Sequence, residues 1–191
     1  MSDADTVRAA LGQSAEWHRT VAAQRADAIA EAASRLREAL ARGRRVLVFG
    51  NGGSATDAQH FATELVGQYG RGPGRRALPA IALTADSAIV TAVANDLGFE
   101  QVFVRQLQAL GEAGDVAVAI TTSGMSANVV AALGAARARG LTTIALTGRD
   151  GGEAGRLADV HVNVPAAETP RVQEVHRTIL HVWCELIEQE L

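Results

Sequence analysis

The sequence predicts an α/β fold: a three-layer sandwich of five parallel strands between helices, with a helical arm at the N-terminus. Three observations carry this reading. Short runs rich in Val, Ile and Leu alternate with helical patterns along the chain. Most of these runs are continuously apolar, as in strands buried on both faces of a parallel sheet. Two of them end in small polar turns that lead straight into helices, as at the carboxyl edge of an open sheet.

The elements follow in order. Residues 6–41 read as one or two amphipathic helices. In "DAIAEAASRLREAL", Ile29, Ala33, Leu36 and Leu40 share one face at helical spacing, and Gly43 supplies the stop. "RRVLVFG" (44–50) is a strand, and "SATDAQHFATELVG" (54–67) a helix with Ser54 as its side-chain cap. "QYGRGPGRRAL" (68–78) is a loop by its Gly and Pro content. "PAIALT" (79–84) is a strand, and "DSAIVTAVAND" (86–96) and "EQVFVRQLQALG" (100–111) are two helices. Then come strand "DVAVAIT" (115–121), helix "SANVVAALGAARARG" (126–140) and strand "LTTIALTG" (141–148). A short helix "GGEAGRLA" (151–158), strand "DVHVNVP" (159–165) and a long final helix from Thr169 complete the chain, with Pro170 in that helix's first turn. The expected organisation is one domain over 1–191, with helices in 1–42 and the α/β core in 43–191.

Composition excludes several functions. The chain has 191 residues, 48% of them apolar and only 4% aromatic, so the core is aliphatic. The net charge is −3 with no basic block, which argues against a nucleic-acid groove. No apolar run approaches the roughly 18 residues of a membrane span, and "MSDADTVRAA" lacks a signal-peptide pattern. A single cysteine, Cys184, leaves no intrachain disulfide and fits a reducing cytoplasm. All 18 basic residues are Arg, so a lysine Schiff base and a P-loop lysine are excluded.

"FGNGGSA" after the first strand and "ITTSGMSAN" after the third look made for an anion. Backbone N–H groups and the positive end of a helix dipole favour negative charge there, and Gly admits close approach. Thr121, Thr122, Ser123 and Ser126 add hydroxyl donors. A dinucleotide turn and a purely structural turn are the rival readings of "GNGGSA". Against the dinucleotide, Asp86 comes about 34 residues after Gly52, where an acidic residue about 20 residues on is expected.

On the helix that follows, His60 and Glu64 lie about 40° apart and roughly 6 Å along the axis, so both can address one atom. On the final helix, Gln173 and His181 are separated by about 80° and share a flank, while His176 leans the other way. Two His, one Glu and one Gln would suit Zn²⁺ with room for a substrate oxygen, where the two helices meet. Cys184, Trp17 and Trp183 read as packing residues, and His18 and His161 as structural or solvent-facing.

Together "GNGGSATDAQHFATEL", "AVAND", "TTSGMSANV", "ALTGRDGG" and "RVQEVHRTILH" resemble the phosphoheptose isomerases of the sugar-isomerase (SIS) domain superfamily. The resemblance runs from about Arg44 to the end. It implies a homotetramer with active sites between subunits, one Zn²⁺ per subunit, and conversion of sedoheptulose 7-phosphate to D-glycero-D-manno-heptose 7-phosphate, on the way to nucleotide-activated heptoses. His60, Glu64, Gln173 and His181 match the family's zinc positions. Asn51, Gly52, Gly53, Ser54, Glu64, Asn95, Asp96, Thr121, Thr122, Ser123, Ser126 and Gln173 match its substrate positions. Aldose–ketose isomerisation through an enediol needs a base, an acid and an electrophile. The resemblance assigns Glu64 as base and His181 as its acid–base partner. Departures are Met125 where Asn is common, Gln68 where some relatives carry a basic residue, and "PAAETPRVQE" before the last helix. A non-catalytic SIS protein that binds the replication initiator is the alternative; it lacks counterparts of Glu64 and His181, which this chain has. An isomerase acting on another ketose phosphate is a further one.

Overall fold

A sheet buried on both faces needs little more than aliphatic side chains and a hydrogen-bonded ladder. Strands β1 (Val46–Gly50) and β3 (Val116–Thr121) are buried at every position. β4 (Thr142–Gly148) is buried beyond its first residue, and β5 (Val160–Val164) alternates between buried and half-buried. β2 (Ala80–Ala82) is a short edge strand, only three residues of the predicted "PAIALT". The computed structural model describes residues 1–70 and 74–190, so 71–73 of the predicted Gly/Pro/Arg loop lie outside the described residues. All strand pairs are parallel, in the order β2-β1-β3-β4-β5.

This order places the site. From β1 the chain crosses to β2 on one side, then returns to β3 on the other, so the loops leaving β1 and β3 diverge. Such a switch point opens a crevice at the carboxyl ends of the strands. Gly50 pairs with Ile120, so the two small-residue loops begin side by side.

Helices cover both faces. α1 (Asp3–Ala41), α2 (Gly53–Val66) and α7 (Thr169–Glu188) pack on one, burying Leu36, Leu40, Phe61, Leu65, Ile179 and Trp183. α4 (Val104–Leu110) and α5 (Ala127–Ala138) bury Leu107, Val129 and Leu133 on the other. α3 (Ser87–Leu97) and α6 (Gly152–Leu157) complete that second layer. The N-terminal region is one helix, opened by a capping box between Ser2 and Asp5. Trp183 ties α7 to α1 by donating its indole N–H to the Ile29 carbonyl (3.0 Å).

Two local expectations are corrected. The segment 100–111 is not one helix: a 3-10 turn at Phe99–Gln101 precedes α4, and Val102 and Phe103 turn inward between them. Burying those two side chains outweighs the continuity that helix propensity favoured. Ser54 is not the cap of α2. That helix starts at Gly53, with Gly52 in the cap position at φ +57° and no side-chain cap bond, while Ser54 is buried.

Candidate active site

The crevice has two chemically distinct ends joined by α2. At the first, the turn after β1 and the loop after β3 are locked together by a reciprocal amide pair. Asn51 Nδ2 donates to Asn128 Oδ1 (2.8 Å), and Asn128 Nδ2 donates to Asn51 Oδ1 (2.9 Å). Asn128 is buried at the start of α5 and forms part of the site that sequence reasoning missed. An Asn two residues into the helical pattern "SANVVAALGAARARG" is its only mark in the sequence. Thr121 Oγ1 lies 3.3 Å from Ser126 Oγ and 3.5 Å from Ser123 Oγ, so three hydroxyls cluster. Ser126 occupies the cap position of α5 and makes no side-chain cap bond. Neither α2 nor α5 is therefore capped by its own side chain, which leaves first-turn N–H groups for a ligand.

The β3 loop rests on the turn after β4. A Cβ on Gly124 would lie 2.1 Å from the Gly151 carbonyl oxygen, and Gly124 has φ +67°. Only glycine permits both the conformation and the approach. Ala154 N–H then donates to the Gly124 carbonyl (2.9 Å).

At the second end, α2 and α7 bring their imidazoles together. His60 Nε2 and His181 Nε2 are 2.7 Å apart, with ring centroids at 4.9 Å. One nitrogen donates a proton and the other accepts it. Glu64 Oε1 lies 3.7 Å from His60 Nδ1, one turn along α2. Gln173 lies against the start of α2, so closely that a Cβ on Gly53 would fall 2.2 Å from its Nε2. The residues predicted from separate segments thus converge: His60, Glu64 and His181 at one place, Gln173 against Gly53 nearby.

A salt bridge pins this junction. Arg177 on α7 donates from Nε (2.8 Å) and Nη2 (2.5 Å) to Oδ1 of Asp57, which is buried on α2. Burial holds the His60 imidazole below its ordinary pKa, and the Arg177 charge acts the same way, against Glu64 and Asp57. The neutral imidazole, with a lone pair available, is therefore the favoured form. The Tyr69 ring lies beside that of His181, with centroids 5.5 Å apart and planes inclined by 38°. Asp57, Arg177 and Tyr69 were not singled out in the sequence.

Asn95 and Asp96 are placed differently. They sit exposed at the end of α3, bonded to each other (Asn95 Nδ2 to Asp96 Oδ1, 2.7 Å). Among the described residues, no hydrogen bond joins them to the imidazoles or to the Ser/Thr loop. His176 faces away from the site, wholly buried, donating from Nε2 to the Thr147 carbonyl (3.0 Å).

Residues 11–148 match the SIS domain family. The chain is 54% identical over 163 residues to the phosphoheptose isomerase of Geobacter sulfurreducens, which covers 85% of each. This chain belongs to the phosphoheptose isomerase family. The isomerase superposes on the phosphoheptose isomerase structure from Francisella tularensis with a TM-score of 0.95, at 38% identity and 100% coverage of both chains. For that from Neisseria gonorrhoeae the TM-score is 0.92 at 41% identity, over 98% of this chain and 100% of that one. The isomerase has no helix among its described residues long and apolar enough to cross a membrane.

The donor set of the isomerase's imidazole junction bears on a metal. Two imidazole nitrogens and a carboxylate are donors that zinc takes. Nitrogens bound to one tetrahedral zinc at about 2.0–2.1 Å stand roughly 3.3 Å apart, so the 2.7 Å pair must open by about 0.6 Å to admit it. Among the described residues, no group of three or more His, Cys, Asp or Glu is disposed to hold a metal ion. Among the described residues only the two facing rings stand together as candidate ligands, and the Glu64 and Gln173 oxygens are not gathered with them.

Proposed function

We propose that this isomerase interconverts sedoheptulose 7-phosphate and D-glycero-D-manno-heptose 7-phosphate through an enediol. The observation that supports this most is the meeting of His60 and His181 beside Glu64, on a helix whose other end opens the hydroxyl-lined crevice. Gly53 and His60 are seven residues apart on α2, about 10 Å along its axis, a span that an open-chain sugar phosphate bridges.

In this reading the Asn51–Ser54 turn and Thr121, Thr122, Ser123 and Ser126 bind the phosphate with neutral donors. Its binding energy orients the far carbons. Glu64 removes a proton from C1 of the ketose, exchanges it with water, and delivers a proton to C2. His181 moves the proton between the two oxygens through Nδ1, the ring nitrogen that does not face His60. Gln173 positions the sugar beside Gly53, and Asn95 and Asp96 contact it after subunits assemble. His60 and His181 would hold zinc through their facing nitrogens, with Glu64 and, on swinging away from Gly53, Gln173 supplying oxygen, and the ion would polarise the carbonyl.

Assembly as a homotetramer belongs to the same proposal. α3 buries none of its residues in the single chain, though its composition is apolar. Ile89, Leu97 and the adjoining Phe99 are all exposed. Such a face calls for cover, and a second copy of the chain would also bring Asn95 and Asp96 against a site. A cytoplasmic location is part of the same reading.

The test is turnover of C5–C7 ketose phosphates, before and after chelation, with Glu64→Gln beside the wild type. Sedoheptulose 7-phosphate is expected to turn over fastest, and Glu64→Gln to bind it without turnover. A near-wild-type rate for Glu64→Gln refutes the base assignment.

A further inference from the structure

After α2, Tyr69, Gly70 and Arg75 meet the end of α7 at a single carboxylate. Glu188, near the end of α7, accepts from the Tyr69 N–H at Oε1 and from the Gly70 N–H at Oε2, both at 2.9 Å. Its Oε1 also takes the Nε proton of Arg75 (2.8 Å). The same guanidinium reaches the last turn of α2. Nη2 donates to the Glu64 carbonyl (2.6 Å), and Nη1 to the Leu65 carbonyl (2.8 Å).

Those carbonyls lie in the last turn of α2, where the helix has no further partners to offer and a cation is favoured by the helix dipole. The Arg75 side chain is only 8% exposed and that of Glu188 19%, so these charge-assisted bonds form largely out of water. One ion pair therefore fixes the turn of α2 that bears Glu64, the helix that bears His181, and the backbone that carries Tyr69. The Tyr69 ring lies beside the His181 imidazole, with planes inclined by 38°. Two rings, Tyr69 and His60, thus confine the imidazole.

We propose that the Glu188–Arg75 pair locks the Tyr69 ring against His181, which makes Tyr69 a positioning residue for proton transfer by that imidazole. This role rests on the isomerase reading above. A group that hands over a proton must hold its orientation, and misplacement by about 1 Å costs on the order of 100-fold in rate. A tyrosine ring restricts a neighbour at small entropic cost, because it has only two side-chain torsions. The contact is between the two rings, so phenylalanine should serve in its place. Nothing in this role binds substrate, so its loss should lower kcat and leave KM alone.

The experiment compares Tyr69→Phe, Tyr69→Ala and Glu188→Gln with the wild-type enzyme. It combines kcat and KM for sedoheptulose 7-phosphate with NMR of the imidazole protons in the resting protein. Tyr69→Phe should keep kcat within about two-fold. Tyr69→Ala and Glu188→Gln should each lose about ten-fold or more in kcat, with KM within about three-fold. The ring-current shift of the His181 protons should persist in Tyr69→Phe and vanish in Tyr69→Ala. Tyr69 is 37% exposed, so the alanine variant should stay folded. Wild-type kcat in Tyr69→Ala, equal damage in Tyr69→Phe, or unmoved His181 resonances would overturn the positioning role alone. Absence of turnover by the wild type would overturn the isomerase reading, while the NMR arm still tests the contact.

Discussion

Replacing Gly53 with Ala should separate activity from stability. A Cβ at this position would sit 2.2 Å from Nε2 of Gln173 and 2.9 Å from its Cδ. Comfortable non-bonded contacts begin near 3.5 Å, so the amide must withdraw by roughly 1 Å. Gln173 is long and half-exposed, and it can swing away without touching the core. Gly53 opens α2, where Ala is the better helix former by up to about 1 kcal/mol. The two effects nearly offset, so the melting temperature should move by no more than about 2–4 °C. Activity should respond far more. A positioning group displaced by about 1 Å costs roughly 10- to 100-fold in kcat/KM, or about 1.4–2.7 kcal/mol of barrier. The assay is kcat/KM from aldose formation, alongside calorimetry. The double variant with Gln173→Ala supplies the control. If Gly53→Ala acts through Gln173, it should cost almost nothing further in that background. Wild-type kcat/KM in Gly53→Ala, or a full additional loss in the double variant, would refute the reasoning.

Other expectations concern the supports of the site. Gly124→Ala forces a side chain onto the Gly151 carbonyl at φ +67°; it should destabilise by about 2–4 kcal/mol and raise KM, as read by thermal melts and kinetics. Arg177→Ala strands the buried Asp57 carboxylate; chemical denaturation should show a loss of about 1–3 kcal/mol, and Asp57→Asn in the same background should recover part of it. His176 is buried and neutral, its pKa pressed by desolvation from 6.5 to about 4. The unfolded chain takes up that proton first, so stability is full above about pH 6.5 and falls as pH drops toward about 4. The total is about 3 kcal/mol, and denaturant titrations of His176→Asn should show a correspondingly shallower slope across that window.

Much of this was legible in the sequence because the signals are local. Continuous aliphatic runs such as "VLVFG" and "VAVAIT" announce buried parallel strands, and they form β1 and β3. Helical spacing placed His60 with Glu64 and Gln173 with His181, and the two helices do meet. What escaped is non-local. The Asn51–Asn128 pair joins residues 77 positions apart, and the Arg177–Asp57 pair joins residues 120 apart. Neither residue type at either position is unusual by itself. The break between Phe99–Gln101 and α4 was hidden for a related reason, because tertiary burial of Val102 and Phe103 overrides a helical pattern. The missing side-chain cap at Ser54 follows from Gly52, whose positive φ turns the chain so that Ser54 points inward. A cap search reads residue type and cannot register that turn.

The central claim is proton transfer by Glu64 between adjacent carbons of a ketose phosphate. Its most direct test is conversion of sedoheptulose 7-phosphate in deuterated water, with mass and NMR analysis of the aldose. Deuterium bonded to C2 of the product, together with its absence alongside lost turnover in Glu64→Gln, is the predicted result. Wild-type turnover that leaves C2 free of solvent deuterium would contradict a proton carried by a Glu64 carboxyl group in exchange with water.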